Sequence, residues 1–252
     1  MRRIGFLTGL VTLLLVGGVA ACHSSSPSGR SIVVFAAASL NKVFTQIGER
    51  FKADNPGTDV KFNFAGSSDL STQLVEGATA DAFASADTAQ MDKVAKAGLL
   101  ASDPVAFAAN TLVIVTAPGN PKHVASFADL AAPSLNVVVC QRPVPCGAAT
   151  ARVEDSTGTR LHPVSEEPSV TDALNKVTSG QADAALVYIT DARTAGSKVA
   201  TVTFPEAAGA VNVYPIATLR KSPQSELARK FLGVVTGDVG QQILREAGFV
   251  KP

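Results

Sequence analysis

Ile32-Val33-Val34-Phe35-Ala36-Ala37-Ala38-Ser39-Leu40 and, 28 residues further on, Val60-Lys61-Phe62-Asn63-Phe64-Ala65-Gly66-Ser67-Ser68-Asp69-Leu70 decide how this chain is read. Each is an apolar run that passes into small residues, then a serine, then an amphipathic stretch, so each predicts a strand running into a helix. A serine at such a junction is placed to be the N-cap. The helix behind it presents unpaired N–H groups and the positive end of its dipole. Two such helix ends side by side would make a site for a small anion. Two serines that do nothing but cap their own helices would leave the same pattern, and both readings stand.

The alternation continues along the chain. Further strands are expected near Ala82 to Ser85, Leu112 to Thr116, Leu135 to Cys140, Ala184 to Tyr188, Val199 to Phe204 and Val211 to Leu219. Leu40, Val43, Phe44, Ile47 and Phe51 recur at helical spacing over Leu40 to Ala53. Ser68 to Glu76, Thr88 to Ala97, Ala148 to Asp155, Val170 to Ser179, Gln224 to Val235 and Val239 to Glu246 also read as helices. Strands and helices in turn predict an α/β protein with mixed, mainly parallel sheets flanked by helices. The strands at Leu112 to Thr116 and Val211 to Leu219 bracket a middle section of about 95 residues, the size of a small domain. They are expected to be paired crossover segments between domain I, residues 31–112 and 211–252, and domain II, residues 113–210. A ligand cleft is then expected between the domains.

Of 252 residues, 46% are hydrophobic, enough for a sizeable core. Lys and Arg number 22 against 21 Asp and Glu, and the basic residues do not cluster, which excludes nucleic acid as a partner. Residues 1–21 read as a signal segment, with Arg2 and Arg3 ahead of an apolar stretch from Leu7 to Val19. Val19-Ala20-Ala21-Cys22 resembles the bacterial lipobox, which implies cleavage before Cys22 and a lipid on its sulfur. Residues 22–30, rich in serine with Pro27 and Gly29, read as a flexible tether.

Cys140 and Cys146 close a loop stiffened by Pro143 and Pro145. In an oxidising compartment a disulfide is the simplest use of such a pair. Metal binding is the alternative, but His123 and His162 are isolated and no Cys or His pair stands at zinc spacing. Catalysis by Ser39 or Ser67 lacks a Gly-x-Ser-x-Gly elbow and an evident histidine partner. Glu166-Glu167 reads as a solvated loop.

Phe35-Ala36-Ala37-Ala38-Ser39-Leu40, Phe64-Ala65-Gly66-Ser67-Ser68, Ala80-Asp81-Ala82-Phe83-Ala84-Ser85-Ala86-Asp87, and Ala185-Leu186-Val187-Tyr188 with Asp191-Ala192 together resemble the molybdate-binding proteins of bacterial ABC importers. The resemblance covers the chain from Ile32 to Ala247-Gly248-Phe249 and departs most over Val153 to Pro163. It implies the two-domain type II periplasmic binding protein fold. It also implies an oxyanion site: Ser39 and Ser67 through hydroxyl and backbone N–H, Cys146 and Val170 through backbone N–H, and Tyr188 through its hydroxyl. Cys146 stands where the family commonly has alanine, a change that a backbone contact tolerates.

The implied function is a monomeric, extracytoplasmic, lipid-anchored receptor that captures molybdate, and tungstate with it, for an ABC permease. It needs no cofactor, and molybdenum enters only as the oxyanion. Sulfate or another small anion is the alternative ligand, and a serine hydrolase the alternative of a different class. All these donors are neutral, which suits a fully ionised oxyanion, whereas protonated phosphate would want an acceptor. Asp69 is the only nearby candidate acceptor and is expected to be a solvated acid in a first helical turn.

Overall fold

Strand β1 spans Arg30–Ala37, so Arg30, expected as the end of the tether, is already hydrogen-bonded sheet and lies opposite Thr58. The computed structural model describes residues 30–252. The expected signal segment over residues 1–21, Cys22 and the rest of the tether lie outside the described residues.

Ten strands among the described residues form two five-stranded sheets. The first runs in the order β2 (Thr58–Ala65), β1, β3 (Ala82–Ala84), β10 (Asn212–Thr218), β4 (Val105–Asn110). The second runs β7 (Ser165–Glu167), β6 (Val137–Cys140), β8 (Ala184–Tyr188), β5 (Leu112–Thr116), β9 (Ala200–Val202). In each sheet the first three strands are parallel, and the fourth is antiparallel to both neighbours. Each sheet is therefore mixed, as expected, with four strands running one way and one against them.

Central strands read as continuous apolar runs because helices cover both faces. Ile32, Val34 and Ala36 of β1 are fully buried. On one face lies α1 (Asn41–Asp54), whose Phe44 and Phe51 meet Phe231 of α7 (Ser225–Thr236) edge-on at centroid distances of 6.0 and 5.6 Å. The C-terminal helix α8 (Asp238–Ala247) packs beside both. On the other face α2 (Ser67–Val75) and α3 (Thr88–Lys96) bring Leu70, Leu74, Met91 and Val94 against Phe35 and Phe83. The second sheet is covered by α4 (Pro145–Thr157), α5 (Val170–Thr178) and α6 (Ile189–Ala195). Pro145 opens α4 with its ring at a position that needs no N–H, and Gly158 closes it at φ 73°.

Two expectations need correction, and two elements carried no signal in the sequence. Val211 to Leu219 does not pair with Leu112 to Thr116. β10 pairs with β4, Asn212 lying opposite Asn110, and β5 belongs to the second sheet. β4 escaped notice because Ala106, Ala108 and Ala109 carry little strand preference. Glu166-Glu167 is not a solvated loop: both lie in β7, and the buried Glu167 accepts the Ser165 hydroxyl and faces Lys176 Nζ at 3.9 Å. α6 was not expected either.

Candidate functional site

Four helix starts and the end of one strand meet where the two sheets face each other. A small cleft is lined by Ala37, Ala38, Ser39, Gly66, Ser67 and Ala86 from the first sheet's side. Val144, Pro145, Cys146, Val170 and Tyr188 line it from the second. All five residues singled out from the sequence thus lie on one small cavity.

The serines are not caps. Ala37 caps the 3-10 turn Ala38–Leu40 that leads into α1, Gly66 caps α2, and neither junction has a side-chain cap bond. Ser39 stands two residues past its cap and Ser67 one, both in the first turn, with their hydroxyls free for other partners. Ser67 Oγ accepts the Ala86 N–H at 3.0 Å, and Ser39 Oγ lies 3.0 Å from the Tyr214 hydroxyl. The capping serine in the site region is Ser169, whose Oγ accepts the Asp172 N–H at 3.2 Å and so starts α5 at Val170.

Cys146 is the second residue of α4 and Val170 the first of α5, positions whose N–H groups have no carbonyl one turn back. Both side chains are buried, so what these residues can offer the cleft is backbone. Cys146 is bonded to Cys140 in a disulfide with a Cα separation of 5.7 Å, tying the start of α4 to the end of β6. This disposes of the metal alternative for the pair. Among the described residues no group of His, Cys, Asp and Glu could hold a metal ion.

The two halves touch at the cleft's rim. A Cβ on Gly66 would stand 2.1 Å from the Pro168 carbonyl oxygen, so only glycine permits this approach. Gln90 Nε2 donates to Pro143 O at 2.9 Å across the same seam. Behind the cleft Asn212 Nδ2 reaches Ala86 O at 2.9 Å, Pro145 O at 3.1 Å and Tyr188 Oη at 2.7 Å. Its Oδ1 accepts from Arg152 Nη2. Asn110, on β4, places Nδ2 2.8 Å from Thr190 Oγ1 and 3.5 Å from Tyr214 Oη.

Burial dominates the electrostatics. It holds the Tyr188 hydroxyl well above the usual tyrosine value, with Tyr214, Asp87 and Asp191 adding to the effect, so Tyr188 remains a neutral donor. Tyr214 is raised by burial too. The Asp191 carboxyl is pushed up to about 7 by burial, opposed by the N–H of Tyr188. Burial also raises Asp87, against the N–H of Gln90 and the charge of Arg152. No carboxylate lines the cleft. Asp69 is exposed and lines a separate outer pocket with Asp172, a second acid that the sequence did not flag. Asn212, Tyr214, Asn110 and Arg152 also went unremarked. The available signal was a polar Asn212 and a Tyr214 inside the apolar run from Val211 to Leu219.

Residues 32–250 match the family model described as bacterial extracellular solute-binding protein. The chain belongs to this family. The molybdate-binding protein ModA of Mycobacterium tuberculosis is 63% identical over 261 residues, covering 100% of both chains. ModA of Haemophilus influenzae is 26% identical over 96% of this chain and 98% of its own. Among solved structures, the periplasmic molybdate-binding protein of Azotobacter vinelandii shares the fold with a TM-score of 0.76 at 22% identity, over 88% of this chain and 99% of its own. The sulfate-binding protein SubI of M. tuberculosis shares it at 0.75 and 20% identity, over 88% and 87%. This extracellular solute-binding protein has the two-domain type II α/β fold, works outside the cytoplasm, and is not an enzyme. The hydrolase alternative is set aside. No helix among the described residues is long and apolar enough to cross a membrane.

Proposed function

We propose that this protein captures molybdate, and tungstate with it, in the cleft between its two sheets and delivers the anion to an ABC permease. The observation that carries this reading is a cavity onto which Ser39, Ser67, Cys146, Val170 and Tyr188 converge with no carboxylate among the lining residues. Three hydroxyls and the N–H groups of first helical turns are donors for a tetrahedral dianion, and helix dipoles supply the compensating positive field without an ionised side chain. The near full-length relative named a molybdate-binding protein supports the choice of anion.

In this reading residues 30–111 and 211–252 form one domain and 112–210, beginning with β5 of the second sheet, the other, closing on the anion as a monomer. Cys22 carries the lipid that holds the receptor at the outer face of the membrane.

Calorimetric titration with molybdate, tungstate, sulfate and phosphate in turn tests it. Molybdate and tungstate are expected to bind far more tightly than phosphate at neutral pH, because phosphate keeps a proton that finds no acceptor in the cleft. Phosphate binding as tight as molybdate would refute the reading, and tighter sulfate binding would reassign the anion within the same site. Mass spectrometry of membrane-bound protein tests the anchor, with an unmodified Cys22 as the adverse result.

A further inference from the structure

Two hydroxyls on the cleft have a donor behind the oxygen. For Ser67 it is the Ala86 N–H and for Tyr188 the Asn212 amide, while Ser39 faces the Tyr214 hydroxyl, a contact in which either oxygen can donate. At Tyr188 the direction of the bond is fixed by chemistry. Asn212 Nδ2 also faces the carbonyl oxygens of Ala86 and Pro145, which can only accept, while Oδ1 faces the guanidinium of Arg152, which can only donate. The amide therefore cannot turn over. Its nitrogen, which cannot accept, shares two hydrogens among Ala86 O, Pro145 O and Tyr188 Oη, so the hydroxyl hydrogen of Tyr188 cannot point at it. Behind Ser39, Asn110 Oδ1 accepts the Thr111 N–H at 3.1 Å, which turns Nδ2 toward Tyr214 Oη, the neighbour of the Ser39 hydroxyl.

We propose that Asn212, oriented by Arg152, is a positioning residue that sets the specificity of the cleft. By donating to the Tyr188 oxygen it leaves the Tyr188 hydrogen for the ligand, so that the site takes oxyanions bearing no proton and disfavours those that bring an O–H of their own. The proposal rests on the oxyanion reading given above. Asn212 lies on β10, while two of its partners, Pro145 and Tyr188, belong to the second sheet's side. It therefore also helps hold the halves together. A residue that only latched the halves would change the affinity of every anion by the same factor.

The ratio of affinities separates the two roles. Molybdate and phosphate are titrated at neutral pH into wild-type protein and into Asn212→Leu, Tyr188→Phe and the double variant. In Asn212→Leu the carbonyls of Ala86 and Pro145 lose their donor and compete for the Tyr188 hydrogen, so the hydroxyl can turn its lone pair to the ligand. Molybdate affinity is expected to fall about tenfold while phosphate holds or gains, lowering the molybdate-to-phosphate ratio by at least about tenfold. In the Tyr188→Phe background the Asn212 change should leave that ratio unmoved, because the effect passes through the hydroxyl.

Should Asn212→Leu fail to fold, Arg152→Met, at an exposed residue, releases the amide oxygen together with the Ala210 carbonyl and should shift the ratio the same way by about threefold. Equal losses for both anions in the single variants would overturn the proposal and leave the oxyanion reading intact. A wild-type protein that binds no molybdate would overturn both.

Discussion

The two halves of the molecule repeat one plan and line the cleft with different chemistry. Each sheet sets three parallel strands beside a fourth that runs antiparallel, β10 in the first sheet and β5 in the second. In the first half the helix starts are built from small residues, Ala38-Ser39 and Gly66-Ser67, and the cleft meets hydroxyl side chains. In the second half the starts are braced, α4 by Pro145 and the Cys140–Cys146 disulfide, α5 by the Ser169 cap. There the cleft meets backbone N–H groups and a single hydroxyl, Tyr188. Side-chain substitutions should therefore read the first half directly and the second half only through its bracing.

The sharpest way to break this comparison is at the point where the halves touch. Gly66→Ala puts a methyl group 2.1 Å from a backbone carbonyl of the other half, and Pro168 O cannot swing away as a side-chain end would. Gly66 itself has φ −58°, which alanine adopts without strain, so folding should be nearly unaffected. Molybdate affinity is expected to fall by more than about a hundredfold because the halves cannot close. Calorimetry paired with thermal melting checks this. Wild-type affinity in Gly66→Ala would mean that closure at Pro168 is not needed.

Next come the hydroxyls of the first half. Ser39→Ala and Ser67→Ala each remove a hydrogen bond to a charged ligand, worth about 1.5 to 3 kcal/mol, or roughly ten- to hundredfold in affinity. Their effects on stability should differ. Ser67→Ala leaves the buried Ala86 N–H without its acceptor, at a cost of about 1 to 3 kcal/mol. Ser39→Ala removes only a bond to Tyr214, which keeps a contact to Asn110. Lower melting temperatures with unchanged molybdate affinity in both variants would return these serines to a purely structural role.

How much of this was legible in the sequence follows the same division. The strands at Leu112–Thr116 and Ala184–Tyr188 were placed to the residue because each is a continuous apolar run buried on both faces. The alanine-rich β4 and the short polar β7 carry no such signal, and with β4 unseen the crossover was paired wrongly. The positions of Ser39 and Ser67 at strand ends were legible, but their offsets from the cap, two residues and one, depend on where Ala37 and Gly66 leave extended geometry. Cys146 and Val170 could be named only by resemblance, since any side chain can stand over a backbone N–H. Asn212 and Arg152 act across 60 residues of sequence, a distance that only the folded chain closes.

Bracing in the second half can be sharpened by removing the disulfide. Cys140→Ser with Cys146→Ser releases a loop with a sequence separation of 6, and closing so short a loop is worth about 2 kcal/mol to the folded state. Stability measured in denaturant should fall by about that amount. Affinity should fall only several-fold, because Pro145 still opens α4 and Asn212 still holds the Pro145 carbonyl. A loss as large as that of Ser39→Ala would mean that the disulfide, and not the helix start, positions the Cys146 N–H.

The smallest expected effect on binding is the most discriminating for the second half. Val170 opens α5 with its side chain buried and its N–H without an intrahelical partner. Val170→Ala should cost about 2 kcal/mol of stability, since buried methyl groups are lost from a packed core. The N–H stays where the Ser169 cap puts it, so molybdate affinity should stay within about twofold of wild type. Ser169→Ala makes the complementary change, removing the cap that starts the helix while leaving Val170 in place. It should lose about 1 kcal/mol of helix stability and more affinity than Val170→Ala does. If Val170→Ala instead weakened molybdate as strongly as either serine variant, the second half would be contributing side-chain contacts like the first, and the contrast between hydroxyl and backbone donors would be lost.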